Sequence, residues 1–202
     1  MKLFPLLFSP LLLFSVVKAA ADERPNILFC ISDDQSYYHT GASGDPVIET
    51  PAFDRIASEG LRFANAFCDA PTCGPSRSAI LTGQPIWRLE EAGNIHSTLP
   101  AKFTTYTELL AKAGYHVGFT GKGWSPGRLE PGGRSQNPAG IEFSERTAKA
   151  PFKMMRNTDY AGNFEGFLDA TGEDQPFCFW LGTSEPHRGY EGGIGKRTGK
   201  DP

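Results

Sequence analysis

The chain has 202 residues, 39% of them hydrophobic, and a formal net charge of -3. That length and apolar content suffice for one buried core. The slight acidic balance supplies no basic patch, which excludes nucleic acid as a partner.

Lys2, an apolar run from Leu3 to Val17 broken by Pro5 and Pro10, and then Lys18-Ala19-Ala20-Ala21 have the layout of a secretory signal cleaved after Ala19 or Ala21. The run is shorter than the roughly 20 apolar residues that span a bilayer, and no later segment approaches that length. Residues 1–21 are therefore expected to be a signal peptide. The mature chain, residues 22–202, is expected to be secreted or periplasmic, with no membrane association once the signal is removed.

Asn26 to Ser32 is a continuous apolar run, the pattern of a strand buried on both faces of a parallel sheet. It delivers Asp33 and Asp34 at its carboxyl end. Thr50-Pro51 sets an N-cap and a first-turn proline, Phe53, Ile56 and Ala57 recur at helical spacing, and Gly60 supplies a stop. Leu61 to Phe67 reads as a further short strand leading into the loop that presents Cys73. From Pro75, Ala79, Ile80 and Leu81 suit a helix ending at Gly83. Cys73 then sits at or just before its start, where free N–H groups favour an anion.

Thr105 to Ala113 predicts another helix, capped by Gly114, which feeds a strand from His116 to Thr120 with Gly121-Lys122 at its carboxyl end. Ser125 to Ala150, rich in Gly, Pro and polar residues, reads as a long surface excursion. Pro176 to Gly182 is the last strand, followed by Ser184-Glu185-Pro186-His187. Cys30 and Cys178, both inside apolar runs, read as buried core thiols. Strands alternating with helices predict a layered α/β fold, with ligands bound outside the carboxyl ends of its strands.

Several residues carry chemistry of their own. Adjacent carboxylates at Asp33 and Asp34 suit a hard cation, provided the strand has already turned into loop so that both reach one ion. A solvated loop is the commoner meaning of such a pair taken alone. Cys73 alone is a reactive thiol at a helix start, and Arg77, one helical turn on, reaches the same face. Lys122 offers an ammonium to developing negative charge. His187 is either a site histidine or a loop histidine, a choice that geometry decides. Trp124 is either a stacking platform for a sugar ring or plain packing. His39, His96 and His116 carry no motif.

The run Cys73-Gly74-Pro75-Ser76-Arg77, extended by Ser78-Ala79-Ile80-Leu81-Thr82-Gly83, resembles the modification site of the type I sulfatases. With Asp33-Asp34 and Gly121-Lys122 the resemblance runs from about Pro25 to about Tyr190. It implies an alkaline-phosphatase-like α/β/α sandwich with a largely parallel central sheet, incomplete in this chain. It also implies a hydrolase of sulfuric esters or sulfamates on sulfated carbohydrate.

By the same resemblance, a sulfatase-maturing enzyme oxidises Cys73 to formylglycine. The hydrated aldehyde attacks sulfur, the alcohol or amine leaves, and the second hydroxyl expels sulfate. Asp33, Asp34 and the modified Cys73 would bind Ca2+, or Mg2+, with Arg77 and Lys122 as cationic support. A thiol is a soft ligand ill-matched to such an ion, whereas a hydrated aldehyde offers oxygens.

Asp33-Asp34-Gln35, the Gly121-Lys122 context and Pro186-His187-Arg188 resemble the sulfamidase (heparan N-sulfatase) branch. The chain departs from the family at Lys122-Gly123-Trp124, where many members have Lys-x-His. In the later tract the expected histidine falls on Ser184 or on His187. Family members are longer, with further metal ligands and a second lysine beyond the part matched here. The chain is thus expected to be an amino-terminal part of the catalytic domain, with little activity alone and a tendency to aggregate through exposed sheet edges. The alternatives are a non-catalytic remnant that binds sulfated glycan through Arg77 and Lys122, and a phosphoryl-transfer hydrolase of the same superfamily, for which histidines are few.

Overall fold

The computed structural model describes residues 24–189 and 191–198; the expected signal peptide lies outside them. Four strands form one parallel sheet in the order β1 (Ile27–Asp33), β4 (Phe177–Pro186), β2 (His116–Gly121) and β3 (Ile141–Glu142). The helices are α1 (Pro51–Glu59), α2 (Cys73–Thr82), α3 (Tyr106–Lys112), α4 (Tyr160–Asp169) and the short α5 (Ile194–Thr198).

Alternation along central β4 builds the layers, because successive side chains of a strand point to opposite faces. Trp180 joins Leu81 of α2, Phe119 of β2, Leu89, Leu99, Trp124 and Ala139 in one core. Cys178 on the same face meets Tyr115, Val117 and, from α3, Leu110. Phe177 and Phe179 point the other way, onto Phe164 and Phe167 of α4. Phe167 is fully buried, and its ring also meets His116 and Phe143. Gly118 makes this layer possible: a Cβ there would lie 2.8 Å from the Phe167 ring.

The helix boundaries follow local chemistry. Gly83, at φ 64°, closes α2 in the left-handed conformation that glycine adopts without strain. Thr105 and Glu108 exchange the reciprocal hydrogen bonds of a capping box at the start of α3. That helix is capped at Ala113, one residue before the expected Gly114. Helix α4, which the residue pattern did not disclose, opens on Asp159, whose side chain accepts from the Gly162 amide.

The structure corrects four expectations. Among the described residues strand β1 is an edge strand, and only one of its faces is covered. Phe29 packs against Trp180 with ring centroids 4.8 Å apart, while Leu28 and Cys30 on the opposite face are exposed. Cys30 is therefore not a core thiol, although Cys178 is buried as expected. Leu61 to Phe67 forms no strand: no neighbouring strand satisfies its backbone, and Leu61, Phe63 and Phe67 are exposed. The stretch from Ser125 to Ala150 is not purely a surface excursion. It includes β3, the fully buried Ala139 and the buried Arg134, whose guanidinium donates to Leu99 O, Phe103 O and Glu108 Oε1.

A pH dependence follows from the α4 layer. The His116 ring stacks on Phe167 with centroids 4.4 Å apart, and its Nδ1 lies 2.8 Å from Thr171 Oγ1. Desolvation lowers the His116 pKa below its ordinary value of 6.5. The fold thus prefers the neutral ring, and the stability this confers is complete above the unfolded pKa and is lost as pH falls through the folded one. Thermal unfolding is expected to begin at lower temperature as pH drops from 7 to 5, with a smaller drop in His116→Gln. An equal drop in that variant would assign the effect elsewhere.

Candidate active site

The carboxyl ends of β1 and β2 and the start of α2 meet at one end of the sheet. Strand register slips between Ile31 and Asp33, bringing Asp33 opposite Pro186 of β4. Asp33 is 4% exposed. Asp34 follows at φ 62°, so the strand turns sharply there. The turn fulfils the geometric condition for adjacent carboxylates to share one side, yet Asp34 is exposed and does not line the cavity described below.

Gly121 at φ 70° turns the chain at the end of β2, and a Cβ there would fall 2.2 Å from Gly182 O. Only glycine allows the two strand ends to approach so closely. The next residue, Lys122, is held by its backbone. Its amide donates to Gly182 O at 2.7 Å, and its carbonyl accepts from Trp180 Nε1 at 3.0 Å and Arg77 Nη1 at 2.7 Å. The side chain is thereby aimed, and Lys122 Nζ is in direct contact with Asp33 Oδ2.

Arg77 is 2% exposed. Its Nη2 lies 3.5 Å from Asp33 Oδ1, Nη1 also donates to Gly123 O at 3.1 Å, and its Cζ lies 5.7 Å from the Trp180 ring centroid. Burial pulls the guanidinium below its ordinary pKa, and the Asp33 charge opposes that shift. Asp33 thus bridges two cations, and the buried guanidinium finds two carbonyls, a carboxylate and a π face.

Cys73 is the first residue of α2, half-buried, with a free thiol. Thr72 opens the helix without a side-chain cap, leaving the first-turn amides of Cys73 and Gly74 available to an anion. Gly74 fits against the following loop, where a Cβ would lie 3.0 Å from Pro126 O.

Cys73, Asp33 and Lys122 line a cavity of about 890 Å³, together with His96, Glu142, Ser144, Arg156, Ser184, Glu185 and His187. Of the residues singled out from the sequence, the structure therefore brings Cys73, Asp33, Lys122 and His187 to one cavity. Arg77 stands behind it as the partner of Asp33 and Lys122. Trp124 is a packing residue, 4% exposed, with its Nε1 donating to Ser78 Oγ at 2.8 Å.

Sequence reasoning missed Tyr160 and Glu185. Tyr160 Oη donates to Glu185 Oε2 at 2.8 Å and accepts from the Ser184 amide at 3.0 Å, pinning the extension of β4 that leads to His187. The available signal was the polar continuation of β4 past Gly182, which reads as loop when hydrophobicity alone defines a strand. His96, without a motif, also reaches the cavity wall.

Asp33, Asp34 and Cys73 offer a divalent cation a sparse donor set. Among the described residues, no three His, Cys, Asp or Glu side chains form a group that could hold a metal ion. Both oxygens of Asp33 already face cations, and calcium takes six to eight oxygens. Asp33 and Asp34 alone do not make that set. Calcium titrated into this chain is expected to give no saturable heat below about 1 mM, the weak end of protein calcium sites. A micromolar isotherm abolished in Asp34→Asn would reverse this.

The parallel α/β sheet is that of the sulfatases and alkaline-phosphatase-like hydrolases. It superposes on Ps i-CgsB in complex with k-i-k-neocarrahexaose with TM-score 0.67 at 20% identity, covering 84% of this chain and 47% of that one. A protein in complex with its substrate D-glucosamine-2-N,6-O-disulfate superposes with TM-score 0.62 at 26% identity, covering 87% and 38%. The Sulfatase family model matches residues 25–197, and the chain belongs to the sulfatase family.

Among curated relatives, the N-acetylglucosamine-6-O-sulfatase of Bacteroides thetaiotaomicron is 31% identical over 180 residues, covering 83% of this chain and 32% of that protein. The human N-acetylgalactosamine-6-sulfatase is 38% identical over 116 residues, covering 52% and 22%. The chain spans about a third of the length of the first of these, 32%.

Proposed function

We propose that the chain forms part of the active site of an exported sulfatase that hydrolyses a sulfate ester on a carbohydrate. The observation that carries this reading is the convergence of Cys73, Lys122 and Asp33 on one cavity at the carboxyl end of a parallel sheet. Converted to formylglycine by a maturing enzyme, Cys73 would supply the oxygen nucleophile.

This chain's own groups carry several of the other tasks. The uncapped start of α2 faces an anion with N–H groups and the positive end of the helix dipole. Lys122 offers its ammonium to the sulfate oxygens as charge develops, in a site where its backbone is already fixed. Arg77 and Asp33 keep Lys122 in place, and His187 is the cavity-wall candidate for protonating the leaving oxygen.

The relatives named for 6-O-sulfates support an ester as the bond cleaved. The Pro186-His187-Arg188 tract, which resembles the sulfamidase branch, supports a sulfamate as the second choice. The leader in residues 1–21 supports a secreted or periplasmic location. One observation favours a rival, the non-catalytic glycan-binding remnant: both oxygens of Asp33 are engaged by cations instead of being open to a ligand.

Mass spectrometry of the tryptic peptide Phe63 to Arg77 separates the two readings. From a host with a sulfatase-maturing enzyme, a peptide mass matching aldehyde in place of thiol at Cys73 is expected. Unmodified Cys73 in a host that converts other sulfatases would overturn the catalytic reading in favour of the remnant.

A further inference from the structure

We propose that the cavity recognises a second anionic group of the substrate through Arg156 and Arg188, so that the glycan bears an acidic substituent besides the sulfate at Cys73. This rests on the reading of the cavity as a sulfate site. The space itself is too large for a lone sulfate: about 890 Å³ is within the range that holds a drug-sized or sugar ligand.

Arg156 is an exposed side chain on an anchored backbone. Its amide donates to Glu185 Oε1 at 2.8 Å. The adjoining Asn157 accepts from Ala148 N at 2.7 Å through its carbonyl and from Ala150 N at 3.1 Å through its side chain, and Thr158 bridges Thr147. Arg188 is carried past the end of β4 by the extension that Tyr160 and Glu185 pin. Both arginines line the cavity.

Several cations elsewhere in the chain are paired with carboxylates. Arg77 and Lys122 share Asp33, Arg134 meets Glu108, and Arg146 meets Glu165. Among the described residues, the guanidinium groups of Arg156 and Arg188 have no hydrogen-bond or ion-pair partner. The cavity's own carboxylates do not neutralise them. Glu185 accepts from Tyr160 and from the Arg156 amide, and Glu142 forms no ion pair with either arginine. Two unpaired, planar five-donor forks facing one cavity match the geometry of a carboxylate or a sulfate. A neutral glycan would leave both unused.

The test is calorimetric titration of the unmatured chain, with Cys73 as thiol, using four glucosamine disaccharides. One is neutral, one carries a single sulfate, one a second sulfate, and one a uronic carboxylate with the single sulfate. A second anion is expected to tighten binding about tenfold, the worth of a charge-assisted hydrogen-bond pair. Whichever disaccharide shows the gain identifies sulfate or carboxylate as its source.

Arg156→Gln with Arg188→Gln is expected to erase that gain and leave the affinity for the single sulfate and the melting temperature unchanged. A gain below twofold, or one that survives in the double variant, would overturn the inference while the sulfate-site reading stands. A single sulfate that binds no tighter than the neutral sugar, or an affinity indifferent to Lys122→Gln, would overturn both.

Discussion

Asp33→Ala is expected to lower the unfolding free energy by about 3–5 kcal/mol, because removing one partner of a buried ion cluster leaves uncompensated charge behind. Arg77 is 2% exposed and has no route to water without breaking its bonds to Lys122 O and Gly123 O. Lys122 has more freedom, with a side chain 15% exposed. The loss should therefore be dominated by Arg77, and Asp33→Ala combined with Arg77→Met should recover part of it. Urea denaturation with an unchanged m-value measures the difference. A change below about 1 kcal/mol would mean that the cations resolvate freely and that the triad is not a buried unit.

Phe167→Ala is expected to cost a similar amount, about 3–5 kcal/mol, through lost transfer energy plus the cavity left under α4. The ring is fully buried and meets five others, those of His116, Phe143, Phe164, Phe177 and Phe179. Gly118 offers no side chain to refill the space. Natural domains are stable by only about 5–15 kcal/mol, so this one change removes a large part of the total. Phe167→Leu should lose less in the same denaturation experiment, and equal losses would show that ring contacts, not volume, set the cost.

Much of the fold was legible because its signals are local. The apolar runs of β1, β2 and β4, the proline start of α1, the Thr105 cap and the Gly83 stop each depend on neighbours within a few residues. Strand order is different in kind. Nothing within Asn26 to Ser32 says whether a helix covers both of its faces, and Cys30 was read as buried for that reason.

The site shows the same division. Cys73 and Lys122 are legible from motif and strand end. The bond from Tyr160 to Glu185 joins residues 25 apart in the chain, and no local pattern announces it. Arg134 misled through composition: a polar, glycine-rich stretch reads as surface, yet its guanidinium is buried because carbonyls from another loop satisfy it.

Among the described residues, strand β1 pairs with β4 alone, Ile27 opposite Cys178, across most of the chain. The segment Ile27 to Asp33 must therefore wait for β4 before its backbone is satisfied. At a synthesis rate of about 5–20 residues per second the interval is on the order of 10–30 s, far longer than the collapse of a short chain. Closing so long a loop comes late and carries the entropic penalty that slows folds rich in distant contacts. Asp33 travels on that strand, so the ion triad with Arg77 and Lys122 can assemble only after β4 has docked. Throughout that wait β1 is an unpaired edge, open to a holding chaperone or to a second nascent chain.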